Sequence, residues 1–303
     1  MKFIKNFSFI VFLLGAAATV NAQIDFKFGF RAGATLSDMF GASEKDDLGN
    51  GLEKFKLTTR ICVGGTIAMP LTDRFGLSAE VLFSQKGALY RFEGDNSYLK
   101  LSGTVANPNS SQIFQGNKRI LSMNITNGYV EVPITFYAYA IKDRLLFDFG
   151  PSVSFLVTSR SLGILKYGII DDVNPDPADF LEIELDMRSL SDEPAALADA
   201  AIDKTGKLDQ TTIAYPSRIG AYYNFAESKG PLFNKVDFGL NVGASLFFTK
   251  GLRVGARCYY GLTDVTNNKY DVSQKALDAN KEFIYRKDKD TNFGIQLFIA
   301  LSF

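Results

Sequence analysis

The sequence predicts an all-β fold, an eight-stranded antiparallel transmembrane β-barrel with short periplasmic turns and long extracellular loops. Three observations predict it. Eight stretches of about nine to twelve residues alternate apolar and polar side chains, the length that a tilted strand needs to cross a bilayer. The connections between them alternate strictly between short and long, the pattern of outer-membrane barrels. The polar face is rich in Gly, Ser and Thr and poor in Lys, which suits a narrow interior better than a solvated exterior.

Residues 1–22 read as a secretory signal peptide. Lys2 and Lys5 precede an apolar stretch from Phe7 to Ala18, and Val20-Asn21-Ala22 supplies small residues for cleavage before Gln23. The barrel domain is then residues 23–303. In its first strand Phe28, Phe30, Ala32, Ala34 and Leu36 share one face, and Gly29, Arg31, Gly33, Thr35 and Ser37 the other. The second sets Ile61, Val63, Ile67 and Met69 against Arg60, Gly64 and Thr66. The third sets Phe75, Leu77, Ala79, Val81 and Phe83 against Gly76, Ser78, Glu80 and Ser84.

The fourth pairs Val130, Val132, Ile134 and Phe136 with Tyr129, Glu131, Thr135 and Tyr137, and the fifth runs from Leu145 to Phe155 with Asp148 on its polar side. The sixth is the cleanest, from Val236 to Phe248 with Asp237, Gly239, Asn241, Gly243 and Ser245 opposite. The seventh opposes Leu252, Val254 and Ala256 to Arg253, Gly255 and Arg257, and the last ends on Leu301 and Phe303. Pro133 and Pro151 fall inside neighbouring strands, where a missing N–H predicts bulges. Phe28, Phe75, Phe147, Phe248 and Phe303 gather beside the short turns and read as an interfacial girdle.

The 303 residues carry 33 basic and 33 acidic side chains, so no global charge argues for nucleic acid. After the leader no apolar run reaches the length of a membrane-crossing helix. There is no histidine, which excludes Ser-His-Asp and Cys-His catalysis and histidine-ligated zinc. Cys62 and Cys258 lie on opposite faces of their strands and are expected to stay unpaired. No cofactor or metal motif is found, and the sequence identifies no small-molecule substrate.

At these same residues the chain resembles a known family. Phe28-Gly29-Phe30-Arg31-Ala32-Gly33, Tyr129-Val130-Glu131-Val132-Pro133, Phe149-Gly150-Pro151, Tyr259-Tyr260-Gly261-Leu262-Thr263 and the closing Leu301-Ser302-Phe303 are similar to strand signatures of the PorT-like outer-membrane β-barrel family. The resemblance covers the strands, not the long loops. It implies an eight-stranded outer-membrane barrel without fixing one activity, and one branch of the family serves a protein-secretion apparatus.

The inward face carries Arg31, Glu80, Glu131, Asp148, Arg253 and Arg257 at similar heights. Buried charges are tolerable only when they pair, so the first reading is a plug that fills the tube and fixes register. A proton or ion path gated by exchange of partners is the second. An acid–base pair of Glu80 and Glu131 is a third, disfavoured because arginines nearby would hold both charged.

The third long connection, residues 161–234, carries thirteen acids against six bases. Leu181, Ile183, Leu185 and Met187 alternate with charged residues and predict an extra-membrane strand, and Ser191-Asp192-Glu193-Pro194 opens an expected short helix. Asp171, Asp172, Asp176 and Asp179 lack EF-hand spacing and read better as a solvated face than as a calcium site. Tyr215, Tyr222, Tyr223 and Phe225 either anchor a partner or pack the loop against the rim. The sequence therefore points to a non-enzymatic protein of the cell outer membrane, embedded in its lipid, whose loops form a surface for other envelope proteins. The alternatives are a narrow gated pore and an accessory subunit of a secretion apparatus. A soluble carrier with the same alternation would bury the apolar face instead.

Overall fold

The computed structural model describes residues 26–104, 107–169, 180–190, 202–208, 211–219, 231–268, 273 and 275–303. The expected leader, the acids Asp171 to Asp179 and the helix expected over residues 191–201 lie outside them. The chain is strand-rich throughout, in the order β1 (Lys27–Phe40), β2 (Glu53–Lys56), β3 (Thr58–Pro70), β4 (Phe75–Lys86), β5 (Leu89–Thr104), β6 (Asn107–Ile141) and β7 (Leu145–Gly168). Then come β8 (Phe180–Met187), β9 (Ile202–Leu208), β10 (Thr211–Pro216), β11 (Arg218–Ile219), β12 (Val236–Phe247), β13 (Leu252–Gly261) and β14 (Thr291–Ser302).

Eight of these pair in a cycle. From β1 the ladder runs through β3, β4, β6, β7, β12, β13 and β14 and returns to β1, each neighbour antiparallel. Side-chain burial then decides which face is inside. Phe30 is 65% exposed, Val242 57% and Leu301 54%, whereas Arg31, Glu80, Glu131 and Asp237 are 2% exposed or less. A water-soluble barrel shows the reverse, because exposing so much apolar surface to water is unfavourable by about 25 cal/mol per Å². The girdle residues Phe28, Phe75, Phe147, Phe248 and Phe303 all stand on this exposed face. Cys62 is buried inside, Cys258 is half-buried on the outer side, and both thiols are free.

The prolines do not make bulges. Pro133 stays opposite Ser152 and Pro151 opposite Leu240 in registers that continue unchanged on either side. The register shifts between β6 and β7 fall instead at Gly128/Tyr129 and Tyr139/Ile141. A proline removes one donor without adding a residue, so the ladder can lose a bond and keep its count.

Sequence patterning undersized two strands. β6 has 35 residues and β7 has 24, far more than a bilayer crossing requires. The stretch 94–119, which falls in one of the long connections of the alternating pattern, is a hairpin in which β5 pairs with the first half of β6. Beyond the ring the two long strands continue as a sheet in the order β2-β5-β6-β7-β8-β11. The strand expected at Leu181–Met187 is β8, paired along Ser161–Gly168 of β7. One face of this sheet carries a hydrophobic core that includes Tyr90, Phe92, Leu121, Met123, Leu165, Tyr167, Leu181 and Ile183, closed over by Leu208, Ile213 and Tyr215 of the β9–β10 hairpin. The long connections thus form a folded β-rich layer with its own interior.

Candidate functional site

Eight inward faces converge on a narrow interior, and period two fixes which side chains arrive there. Nearest the middle, Arg257 of β13 donates through Nε to Asp148 Oδ1 of β7 at 3.0 Å. Its Nη1 and Nη2 grip both oxygens of Glu80 of β4 at 2.8 and 3.0 Å. Arg31 of β1 donates to Glu80 Oε2 at 2.9 Å and to Gln296 Oε1, with its guanidinium lying 3.7 Å from the centre of the Phe298 ring. Two cations face two anions, so the layer is neutral. Glycines make room for it. A Cβ at Gly243 would stand 2.6 Å from Asp148 Oδ2, and one at Gly33 would stand 2.9 Å from Phe298 Cβ.

Toward the long connections lies a second layer. Lys86 of β4 donates to Ser154 Oγ at 3.1 Å, stands 3.4 Å from Glu131 Oε2 and 3.8 Å from Asp237 Oδ2, and sits 3.3 Å above the Tyr259 ring. Asp237 accepts from Tyr259 Oη at 2.7 Å, Asn292 Nδ2 at 2.9 Å and Thr263 Oγ1 at 2.9 Å. Glu131 is different: it is fully buried and neither carboxylate oxygen accepts a hydrogen bond. Its compensation is Coulombic, from Lys86 and from the more distant Arg31 and Arg257. Above it Arg60 donates to Asn124 Oδ1 and to the Ile125 carbonyl, and the core of the β-rich layer follows.

Of the six charges expected to form one network, the structure brings Arg31, Glu80, Asp148 and Arg257 together. Glu131 belongs to the neighbouring layer, and Arg253 stands apart. Four residues separate Arg253 from Arg257 along β13, about 13 Å of extended chain, which places it at the short-turn mouth. Sequence reasoning missed Lys86, and placed Asp237, Tyr259, Asn292 and Gln296 on the inner face without assigning them partners. Lys86 was within reach, because it continues the polar set of Glu80 and Ser84 by one more step of two.

The loop aromatics fare differently. Tyr215 is 6% exposed inside the core of the β-rich layer, so it is a packing residue rather than a free anchor. Tyr222, Tyr223 and Phe225 lie outside the described residues. Among the described residues no group of three or more His, Cys, Asp or Glu side chains is placed to hold a metal ion.

The outer face of the β-rich sheet carries a ladder of exposed ion pairs. Arg160 grips Asp186 through two bonds of 2.8 Å, Lys166 meets Glu182 at 3.0 Å and Arg218 meets Glu184 at 3.0 Å. At the long-connection end of the ring, Arg286 clamps Glu44 at 2.9 Å, Glu53 at 2.8 Å and Asp288 at 3.2 Å, tying the connection after β13 to the one after β1.

Beside this clamp Asp290 is pushed up to about 7. Burial is the main cause, Asp288, Asp264 and Glu53 add repulsion, and the hydrogen bond from Thr266 opposes them. The folded form therefore holds this proton where the unfolded chain, with a carboxyl near 4, does not. The stabilisation is complete below about pH 4 and is lost as pH rises through about 7. The thermal midpoint of the purified protein is expected to fall between pH 5.5 and 8.5, and Asp290→Asn should remove most of that fall. An unchanged slope in the variant would assign the pH dependence elsewhere.

A cyclic ladder with a polar filled interior and an apolar exterior defines the class, a β-barrel that lives in a membrane rather than in water. Residues 18–267 match the family model described as outer membrane protein beta-barrel domain, and the chain belongs to that family. It is a protein of the cell outer membrane. No curated protein matches it in sequence. Similar solved structures include the attachment invasion locus protein Ail of Yersinia pestis in complex with the heparin analogue sucrose octasulfate. That match has 8% identity and a TM-score of 0.32, covering 92% of this chain and 100% of that one. OprG of Pseudomonas aeruginosa is similar at 9% identity and a TM-score of 0.31, covering 92% and 97%. The outer membrane protease OmpT of Escherichia coli is similar at 9% identity and 0.28, covering 94% and 99%. At that distance the likeness says nothing of binding or activity in this chain.

Proposed function

We propose that the chain is a closed eight-stranded transmembrane barrel that performs no catalysis and serves as a rigid base for an extracellular interaction module. Its short turns stand in the periplasm and its long connections outside. The observation that carries this reading is the hydrophobic core of the long connections. Loops that only link strands need no interior, whereas a surface held in one shape for a partner does. The two ion-paired layers support it as a plug, because they cross the lumen and leave the described long-connection side packed above them.

The first test is of topology. A membrane-impermeant maleimide should label Asp46→Cys on intact cells and should reach Lys142→Cys only after the outer membrane is permeabilised. The reverse pattern would invert the barrel. In planar bilayers the purified protein is expected to show no stepwise conductance, and regular channel steps would replace the plug with a gated pore.

A further inference from the structure

The short-turn mouth of the lumen is an open cavity of about 270 Å³, lined among others by Lys27, Tyr137, Tyr139, Lys250 and Arg253. Its floor is the layer of Arg257, Glu80 and Asp148. We propose that this mouth binds a phosphate-type oxyanion, with Arg253 as the principal ligand and Lys27 and Lys250 as flanking cations. The assignment rests on the barrel reading above, which places the cavity in the periplasm.

Charge pairing leads to it. The acids on the floor are already engaged, Glu80 by Arg257 and Arg31 and Asp148 by Arg257. What remains at the mouth is Lys27, Lys250 and Arg253 against Asp143, three cations and one acid. Arg253 has no carboxylate within ion-pair distance among the described residues, and its buried Nε donates to nothing. Its guanidinium lies over the Phe247 ring at 5.7 Å, and Phe247 packs on Tyr139, which packs on Tyr137. The aromatic shelf holds the fork without neutralising it. A guanidinium with free donors in a walled cavity is the arrangement that recognises a planar or tetrahedral oxyanion, and the excess of two positive charges matches the dianionic form of phosphate. Two sources offer a phosphate oxyanion, free phosphate, whose dianion matches this excess, and the singly charged phosphodiester of a phospholipid headgroup in the inner leaflet.

The test titrates inorganic phosphate, and separately a short-chain phosphatidylglycerol, into the folded protein in dodecyl maltoside, with heat released as the readout. Saturable binding of either probe is expected, weakened about tenfold or more in Arg253→Gln, as loss of a charged hydrogen-bond donor predicts. Lys250→Gln lies in an exposed turn, where folding is not at stake, and should weaken binding less. Arg160→Gln on the far sheet should leave it unchanged. Binding of phosphate alone or of the lipid alone identifies the source. No saturable binding in a protein that still shows a heat-dependent shift on an SDS gel overturns the assignment, as does equal binding by Arg253→Gln. Loss of the heat shift in the unsubstituted protein would instead overturn the barrel reading, and this assignment with it.

Discussion

Arg257→Met is expected to destabilise the barrel by about 3–5 kcal/mol, the range for removing one partner of a buried ion pair. Arg257 supplies both hydrogen bonds of one face of Glu80 and the ion-pair contact of Asp148. Without it Glu80 retains Arg31, but Asp148, which is only 5% exposed, retains no cation within 4 Å among the described residues. Methionine fills the volume and leaves that charge bare. Arg31→Met should cost clearly less, because Glu80 would still hold both bonds from Arg257 and Gln296 would lose only one donor. The ordering distinguishes a paired layer from general filling. Urea unfolding in lipid vesicles, followed by the mobility shift on unboiled gels, reads both variants. Equal losses for the two arginines, or less than about 1 kcal/mol for Arg257→Met, would mean that water or rearrangement compensates the acids.

That layer was partly visible in the sequence, and the reason is geometric. Period two assigns a residue to a face wherever the two faces differ in chemistry, and in the ring they do: Arg31, Glu80, Asp148 and Arg257 fall on the polar face and Phe30, Val81, Phe147 and Ala256 on the other. Alternation gives a face but no height across strands, since height depends on stagger. Which of Arg253 and Arg257 shares a layer with Glu80 and Asp148 was therefore not legible, although register puts one opposite Phe247 and the other opposite Gly243.

Beyond the bilayer the alternation is kept from Leu121 to Thr126, where Leu121, Met123 and Ile125 are buried and Asn124 is exposed, but it breaks at Ile120, which is buried beside Leu121. Residues 107–118 are mostly polar, and the stretch therefore resembled a loop. The sequence left Tyr215 between anchoring a partner and packing the loop for a related reason, and its burial in the core matches packing. An aromatic side chain in a long connection reads as a binding residue only if the connection has no interior of its own, and here it does.

The second layer offers a sharper experiment, because its two acids are satisfied by different means. Asp237 accepts three hydrogen bonds, from Tyr259, Asn292 and Thr263, whereas Glu131 accepts none and depends on charge. Lys86→Met removes the cation nearest to both. It is expected to destabilise the protein by about 3–5 kcal/mol, with nearly all of the effect arising at Glu131. Adding Glu131→Gln should recover more than half of the loss, since a neutral buried amide lacking partners costs roughly 1–3 kcal/mol and an uncompensated carboxylate costs more. Adding Asp237→Asn to Lys86→Met should recover little and can lower stability further, because the amide cannot accept the same three donors on two oxygens. The double-mutant cycle between Lys86 and Glu131 is accordingly expected to show coupling of about 1–3 kcal/mol. Comparable rescue by both second substitutions would show that the lysine serves the two acids equally and that the three bonds at Asp237 do not stand in for a cation.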